Sequence, residues 1–313
     1  MQRVVYSLDA MMDYQELVDR IRPIMHQLSN WVGYSLTQDG GHWDLTIYIP
    51  PGFVSLLSGF DSLGLLPVRI RRVPMNRFSA VPSPAAPLAH AAAGSPVGRI
   101  GSLVSVQCAQ GEIPGAIGAF VRNADGVWLL SANHVLACNG RHLPLAQPSH
   151  GVYLGTNRVS RTIVFSELKP HGYQADAAAC LLDPAAGIVP AWPTGWTANP
   201  NPFTPTVNLR VKVSVNGVDA FGTVTGVGTF HVAMGSSNFP CSLDDVEFNG
   251  SILVQADDAQ FALPGNSGGL VVTADAAGHP IGLITGTNVA HFVVVSPLAK
   301  ALADLGLPGQ IMV

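Results

Sequence analysis

A glycine-rich turn that runs into an apolar strand, residues 263–272, is the feature that most constrains the fold of this chain. Ser267 stands there between Gly265 and the pair Gly268 and Gly269. Glycine allows backbone dihedral angles that other residues avoid, and it leaves room beside the chain. A serine that attacks a carbonyl needs an exposed hydroxyl and backbone N–H groups aimed at the developing oxyanion. The stretch alone is as consistent with an ordinary glycine-rich hairpin as with a nucleophile.

Two other stretches carry residue types that could act together with this serine. His134 follows the apolar run 127–130, and Asp176 precedes the apolar run 177–182. A single histidine among apolar neighbours is more often a core residue than a catalyst. A carboxylate in such a run is costly to bury unless a donor such as a histidine N–H binds it. Together these three residue types could perform nucleophilic catalysis, in which histidine takes the serine proton and aspartate orients the imidazole.

The three stretches resemble the motifs of the chymotrypsin/trypsin family of serine proteases. Gly-Asn-Ser-Gly-Gly, Ser-Ala-Asn-His-Val and Asp-Ala-Ala-Ala are similar to its serine, histidine and aspartate motifs. The resemblance covers roughly residues 97–310 and implies an endopeptidase that acts through an acyl-enzyme, with His134, Asp176 and Ser267 as catalytic residues. It also implies an oxyanion hole made by the N–H groups of Gly265 and Ser267. A Thr-Ile-Tyr-Ile-Pro and Val-Arg-Ile region upstream is similar in layout to bacterial trypsin-like proteins related to the plant Narrow Leaf proteases.

The specificity pocket that the resemblance implies departs from that of secreted trypsins. Phe261 takes the position at the bottom of the pocket, where no carboxylate is then available for a Lys or Arg side chain. Cleavage after small or apolar residues is therefore expected. His291 could polarise a pocket for polar or acidic side chains, or be a core or surface histidine. The strand that would pair with the substrate backbone contains Thr285, Gly286 and Thr287.

Asn266 replaces the aspartate that secreted trypsins carry just before the nucleophile. That aspartate pairs with a newly cut N-terminal ammonium in those proteins, whereas an uncharged amide cannot compensate a buried cation. We therefore expect amide hydrogen bonds from Asn266 to hold the loop. We also expect the site to form without prior cleavage of the chain.

Short strands and turn signals dominate the sequence after residue 97. They predict a mainly β fold with two antiparallel barrels, at about 97–190 and 206–295, joined by a Pro- and Gly-rich crossover at 183–205. Asn216-Gly217 is the clearest hairpin turn, between strands at 208–215 and 220–225. A C-terminal helix is predicted over 296–306, with Ser296 as its cap and Pro297 at its first position.

Residues 1–73 predict a separate small α+β domain. The predicted order is a strand at 3–8, an amphipathic helix interrupted or kinked at Pro23, strands at 31–36 and 43–49, a helix at 54–65 and a strand at 68–73. This is the order of a ferredoxin-like unit. The Pro-, Ala- and Ser-rich stretch 74–96 predicts a linker. A docking or structural role is favoured for the domain over an oligomerisation surface or an inhibitory pro-segment.

Charge and hydrophobic pattern limit the kinds of partner that are expected for this chain. The net charge of −4 offers no broad positive surface for nucleic acid. No apolar run approaches the ~18–20 residues of a membrane span, and the start lacks a secretory signal. We therefore expect a cytoplasmic protein that acts in regulatory or processing proteolysis on polypeptides, with neither nucleic acid nor membrane as partner. The N-terminal domain allows a protein partner or self-association.

The spacing of the four cysteines does not indicate a metal site, and we expect no other cofactor. They are far apart and form no CxxC pair, which argues against zinc. Free buried thiols are favoured over a disulfide between the first two, which would lie beside the histidine as in secreted relatives. The four are Cys108, Cys138, Cys180 and Cys241.

Two alternative functions are compatible with parts of the sequence. Gly-Asn-Ser-Gly-Gly also satisfies the G-x-S-x-G pattern of α/β-hydrolases, but that fold places aspartate and histidine after the serine and alternates strands with helices. Few residues follow Ser267 here, and helical patterns are scarce. The other alternative is a catalytically silent trypsin-fold module that binds peptides. The presence of all three candidate residues favours an enzyme.

Overall fold

The computed structural model describes a large part of the chain. Described are residues 14–27, 31–39, 42–53, 68–80, 97–108, 111–136, 145–147, 152–155, 160–162, 173, 175–184, 188–197, 199–215, 217–234, 246–263, 265–307 and 310–311. Within these ranges, no helix is both long enough and apolar enough to span a bilayer.

The described residues form three helices and 21 strands, and the mainly β class that the sequence predicts is confirmed. The helices are α1 (Tyr14–Gln27), α2 (Asn133–Leu136) and α3 (Leu298–Asp304). The strands are β1 (Gly33–Asp39), β2 (His42–Ile49), β3 (Val68–Pro74), β4 (Phe78–Ser79), β5 (Val97–Arg99), β6 (Leu103–Cys108), β7 (Gly111–Ala116), β8 (Ala119–Asn123), β9 (Gly126–Ser131), β10 (Leu145–Gln147), β11 (Val152–Gly155), β12 (Ser160–Thr162), β13 (Ala178–Leu181), β14 (Val189–Ala191), β15 (Arg210–Val215), β16 (Val218–Ala233), β17 (Val246–Ala256), β18 (Leu270–Thr273), β19 (Pro280–Thr287), β20 (Phe292–Pro297) and β21 (Gln310–Ile311).

Six strands of the C-terminal half close into an antiparallel barrel. The pairing runs β15–β18–β19–β20–β17–β16, and β16 pairs back with β15. The β15–β16 hairpin has Val215 opposite Val218, at the place where the sequence predicts a hairpin. A closed ring satisfies the backbone groups that an open sheet leaves at its edges. Val213, Phe261 and Ile284 belong to the apolar core of this barrel.

The first half of the predicted double barrel consists of two antiparallel sheets. One has the order β12–β13–β9–β8–β21, and the other β11–β10–β6–β7. Apolar side chains of β8, β9, β13 and α3 share one core, which contains Trp128 and Leu298. Cys180 lies in that core as a free thiol, and burial raises its pKa to about 12. The described residues do not include the side chains of Cys108, Cys138 and Cys241.

The structure joins the N-terminal strands to the second barrel. β1 pairs with β16, β2 pairs antiparallel with β1, and β3 pairs parallel with β2. A ferredoxin-like unit would place the strand at 42–49 beside the first strand of the chain. Here β2 lies between β1 and β3, so the described residues do not have that arrangement. The predicted strand at 3–8 and the predicted helix at 54–65 lie outside the described residues.

The length of β16 explains why the N-terminal strands and the second barrel share one sheet. The sequence predicts strands at 220–225 and 230–234, whereas β16 runs unbroken from Val218 to Ala233 and bends through bulges near Gly226 and Gly228. Its far end extends beyond β15 and pairs with β1. A Cβ atom on Gly228 would collide with the carbonyl oxygen of Tyr34 in β1. Glycine at this position therefore lets the two strands approach each other.

Helix α1 makes a second contact between the N-terminal region and the barrel. It is continuous from Tyr14 to Gln27 with Pro23 inside it. His26 Nε2 lies 2.8 Å from Oε2 of Glu247 in β17, and His231 Nε2 lies 3.5 Å from the same oxygen. Burial alone would raise the pKa of Glu247, but hydrogen bonds and positive charge from the two histidines lower it overall.

Two other boundaries differ from the sequence prediction. The predicted linker at 74–96 is folded at its start, since Pro74 ends β3 and β4 pairs with both β16 and β19. Residues 81–96 lie outside the described part of the chain. Helix α3 spans Leu298–Asp304, and Pro297 occupies its N-cap without a side-chain hydrogen bond. Ser296 is therefore no cap; it lies in β20, where its hydroxyl is bound elsewhere.

We predict that Gly228→Val destabilises the protein, because the added side chain collides with the backbone of β1. Overpacking of this kind costs about 1–3 kcal/mol. Urea unfolding measures the change in free energy of unfolding. Val218→Ala, at the 55% exposed start of the same strand, is the control and should change stability by about 0.5 kcal/mol or less. Equal stability of Gly228→Val and wild type would contradict the close β1–β16 approach.

Candidate active site

His134 lies in α2, the short helical turn that follows β9. Its ring is fully buried, and Nδ1 lies 2.6 Å from Oδ2 of Asp176. An ionised carboxylate only accepts hydrogen bonds, so Nδ1 carries the proton and donates. Nε2 is buried and has no hydrogen-bond partner among the described residues. In this tautomer Nε2 holds a free lone pair, which is what a general base needs.

Asp176 precedes β13 and is fully buried. Besides the imidazole, its Oδ1 accepts the backbone N–H groups of Asn133 at 2.9 Å and His134 at 3.3 Å. Three N–H donors therefore converge on one carboxylate. They compensate its loss of hydration, which would otherwise make burial very costly.

Ser296 and Thr285 support Asp176 from the second barrel. The backbone N–H of Asp176 donates to Ser296 Oγ at 2.8 Å, and Ser296 Oγ lies 2.7 Å from Thr285 Oγ1. All three residues are buried. The local sequence does not reveal this role of Ser296, because a serine ahead of a proline and a helical pattern also fits a helix cap. No local pattern marks a hydroxyl that binds a backbone group 120 residues away.

The loop that carries Ser267 has the backbone shape that the glycines predict. Gly265 and Gly268 have φ angles of 91° and 82°. Asn266, Gly268 and Gly269 each donate a backbone hydrogen bond, to the carbonyls of Leu263, Ile284 and Asn266. The N–H groups of Gly265 and Ser267 donate to no group in the described residues. These two are the donors that the family resemblance implies for an oxyanion hole.

Asn266 holds this loop through its side chain. Its Nδ2 group donates to the carbonyl oxygens of Gln260 at 2.7 Å and Phe261 at 3.1 Å. Both contacts need a donor, so an aspartate at this position would oppose two carbonyl oxygens with a negative charge. The geometry fits the amide-held loop that is expected from the sequence.

The serine loop packs against the end of β7, which also contacts α2. The carbonyl oxygen of Ser267 accepts the N–H of Ala116 at 2.8 Å. Gly115 lies between the two parts, since a Cβ on it would meet both the Val135 side chain and Ser267 O. Ser267 is half-buried, and its Oγ lies 3.5 Å from the carbonyl oxygen of Ala80. The structure thus brings the loops of His134, Asp176 and Ser267 to one place.

The residues predicted for substrate binding differ in burial and in the groups that they contact. Phe261 is fully buried in the core of the second barrel. Thr285 is buried and its hydroxyl is bound to Ser296, so only its backbone is available to a substrate strand. Gly286 and Thr287 lie next to Ser79 of β4. His291 lies in the turn between β19 and β20 with φ of 60°, and it is half-buried.

Comparison with known proteins finds similarity in structure alone. No protein-family model matches the sequence, and no curated protein matches it. Protease A of Thermobifida fusca is 17% identical, with a TM-score of 0.49, over 69% of this chain and 100% of that chain. A glutamic-acid-specific serine protease is 17% identical, with a TM-score of 0.47, over 68% and 100%. Cellulomonas bogoriensis chymotrypsin is 17% identical, with a TM-score of 0.43, over 69% and 98%.

The chain is thus similar to solved serine proteases at low identity. The strand pairing described above, rather than these scores, defines its fold. The relation to Narrow Leaf proteases stays a prediction from the sequence.

We predict that Asp176→Asn destabilises the fold, because one carbonyl oxygen cannot accept all three N–H groups and the new NH₂ would face donors. Each buried group left unpaired costs about 1–3 kcal/mol. Urea unfolding measures this loss, and ¹⁵N NMR of the imidazole should show a changed tautomer. Asp304→Asn, at the exposed end of α3, is the matched control. Unchanged stability together with an unchanged tautomer would contradict the carboxylate's role.

Proposed function

We propose that the chain is a serine endopeptidase in which Ser267 is the nucleophile, His134 the general base and acid, and Asp176 the residue that orients the imidazole. The buried His134–Asp176 hydrogen bond of 2.6 Å carries this proposal. It assigns the proton to Nδ1 and leaves Nε2 with a lone pair and no described partner. A histidine that served packing alone would be expected to have both ring nitrogens satisfied.

The proposed reaction uses the three residues as follows. Nε2 of His134 takes the Ser267 proton as Oγ attacks the carbonyl carbon, and the buried Asp176 carboxylate stabilises the imidazolium. The N–H groups of Gly265 and Ser267 stabilise the oxyanion. His134 then gives its proton to the leaving amine, which leaves an acyl-enzyme. Water, activated by the same histidine, hydrolyses this ester and restores the serine.

A silent peptide-binding module is the second candidate, and labelling of Ser267 separates it from an enzyme. A fluorophosphonate reacts only with an activated serine. The N-terminal region contains none of the proposed catalytic residues, so we propose a docking or structural role for it. Binding of a protein partner, or of a second copy of the chain, through this region stays a prediction.

We predict that Ser267→Ala and His134→Ala each lower peptide turnover by about 10⁴-fold or more, since the two residues act as one unit. Both variants should also lose fluorophosphonate labelling. His42→Ala, in the exposed end of β2, is the control and should retain both. Wild-type turnover in Ser267→Ala would refute the protease proposal.

We also predict a preference for small or apolar side chains before the cleaved bond. Phe261 offers no carboxylate, and burial of a cation without a counter-charge is unfavourable. A peptide library with sequencing of the products measures this preference. Strict cleavage after Lys or Arg would contradict the proposed pocket, whereas cleavage after Glu would instead assign His291 to substrate binding.

A further inference from the structure

The hydroxyl of Ser296 links the two halves of the fold at the candidate active site. Its Oγ accepts the backbone N–H of Asp176 at 2.8 Å and lies 2.7 Å from Thr285 Oγ1. All three residues are 0% exposed. A hydroxyl has one donor and two acceptor positions, so these two contacts use most of the bonding capacity of Ser296. The bond to Asp176 is costly to break, because a buried N–H that loses its acceptor has no water to replace it.

The hydrogen bonds of the Asp176 carboxylate, in contrast, all lead to α2 within the described residues. The imidazole of His134 contacts Oδ2, and the backbone N–H groups of Asn133 and His134 donate to Oδ1. These bonds fix the carboxylate relative to the imidazole. They fix neither group relative to Ser267, which belongs to the second barrel. The bond between Ser296 and the Asp176 backbone supplies a direct connection from that barrel.

Two adjacent residues of β19 hold both the serine loop and Ser296. The carbonyl oxygen of Ile284 accepts the N–H of Gly268, the residue directly after Ser267, at 2.7 Å. Thr285 is the next residue of the strand, and its hydroxyl contacts that of Ser296. The nucleophile and the aspartate are therefore both positioned from the same point of one strand.

Strand pairing limits the motion of this part of the barrel. β19 pairs with β18 on one side and with β20 on the other, where Leu283 lies opposite Ser296. The approach is close, since a Cβ on Gly282 would collide with the carbonyl oxygen of Ser296. β20 is in turn paired with β17. Strands held on both sides position functional groups more precisely than loops do.

From these contacts we infer that Ser296 is a positioning residue for the proposed reaction. Through the backbone of Asp176, it sets where the imidazole of His134 stands relative to the Ser267 hydroxyl, and Thr285 holds the Ser296 hydroxyl in place. The inference rests on the proposed serine endopeptidase activity. Because Ser296 is buried, it affects the rate through geometry rather than through contact with a substrate. Misplacement of a catalytic group by about 1 Å lowers a rate by up to about 100-fold.

Ser296→Ala removes the acceptor of the Asp176 N–H and tests this role. We expect kcat for a peptide substrate and the rate constant of fluorophosphonate labelling to fall by about 10- to 100-fold, with KM unchanged because no substrate contact is lost. Both are measured where urea unfolding shows the variant to be folded, so that a smaller folded fraction does not produce the effect. Wild-type kcat and labelling rate in folded Ser296→Ala would overturn the inference.

Ser251→Ala is the matched control. Ser251 is also 0% exposed and lies in β17, the strand paired with β20, but its hydroxyl has no hydrogen-bond partner among the described residues. The substitution removes an equally buried hydroxyl without releasing Asp176, so wild-type kcat and labelling rate are expected. A fall as large as that of Ser296→Ala would show that loss of any buried hydroxyl suffices, which would refute the positioning role.

Thr285→Val provides a second measurement. It removes the partner of Ser296 but keeps the acceptor of the Asp176 N–H, so we expect kcat to fall by a smaller factor than in Ser296→Ala, again with KM unchanged. A larger fall than in Ser296→Ala would contradict the inference, because Thr285 would then act without Ser296. If Ser296→Ala does not fold, kcat of Thr285→Val decides: a lower value supports the positioning role, and the wild-type value overturns it.

Labelling of wild type separates failure of this inference from failure of the proposed function. If wild type and folded Ser296→Ala are labelled at the same rate, positioning by Ser296 is wrong and the protease proposal stands. If Ser267 of wild type is not labelled, the protease proposal fails and the inference fails with it. Labelling of wild type together with slow labelling of folded Ser296→Ala supports both.

Discussion

The buried carboxylate of Asp176 is the interaction on which the candidate site depends. A negative charge in a protein core is tolerated only when donors replace its water, and here the imidazole and two backbone N–H groups of α2 do so. The same requirement fixes the tautomer of His134 and therefore the chemistry available at Nε2. Ser296, in the second barrel, anchors the backbone of Asp176, so the geometry of the histidine depends on both halves of the fold.

Closure of the second barrel provides the other half of the site. β18 and β19 are adjacent in the ring, and the serine loop that precedes β18 donates from Gly268 to Ile284 of β19. The amide of Asn266 secures the same loop from its other side. The N–H groups of Gly265 and Ser267 have no partner among the described residues, whereas those of Asn266, Gly268 and Gly269 are all hydrogen-bonded. A loop tied in this way can present donors to an oxyanion without rearrangement during the reaction.

Extension of β16 beyond the barrel gives the N-terminal region its position. Pairing with β1 attaches β2 and β3 to the barrel sheet, and the chain then returns through residues 75–80 to the cleft. Glycines at 228 and 286 permit both close approaches, since a Cβ at either would meet a neighbouring backbone. The N-terminal residues are therefore continuous with the catalytic half in structure, although their composition resembles that of a separate domain and a linker.

The sequence by itself determined the mainly β class and pointed to the three candidate residues. These depend on local backbone preferences and on residue types that few sites other than catalytic ones require together. Tertiary structure alone decided the support of Asp176 by Ser296 and the place of Ala80 beside Ser267. Both contacts join residues more than a hundred positions apart. Such contacts leave no pattern in either segment, because a backbone group or a single hydroxyl is compatible with many local sequences.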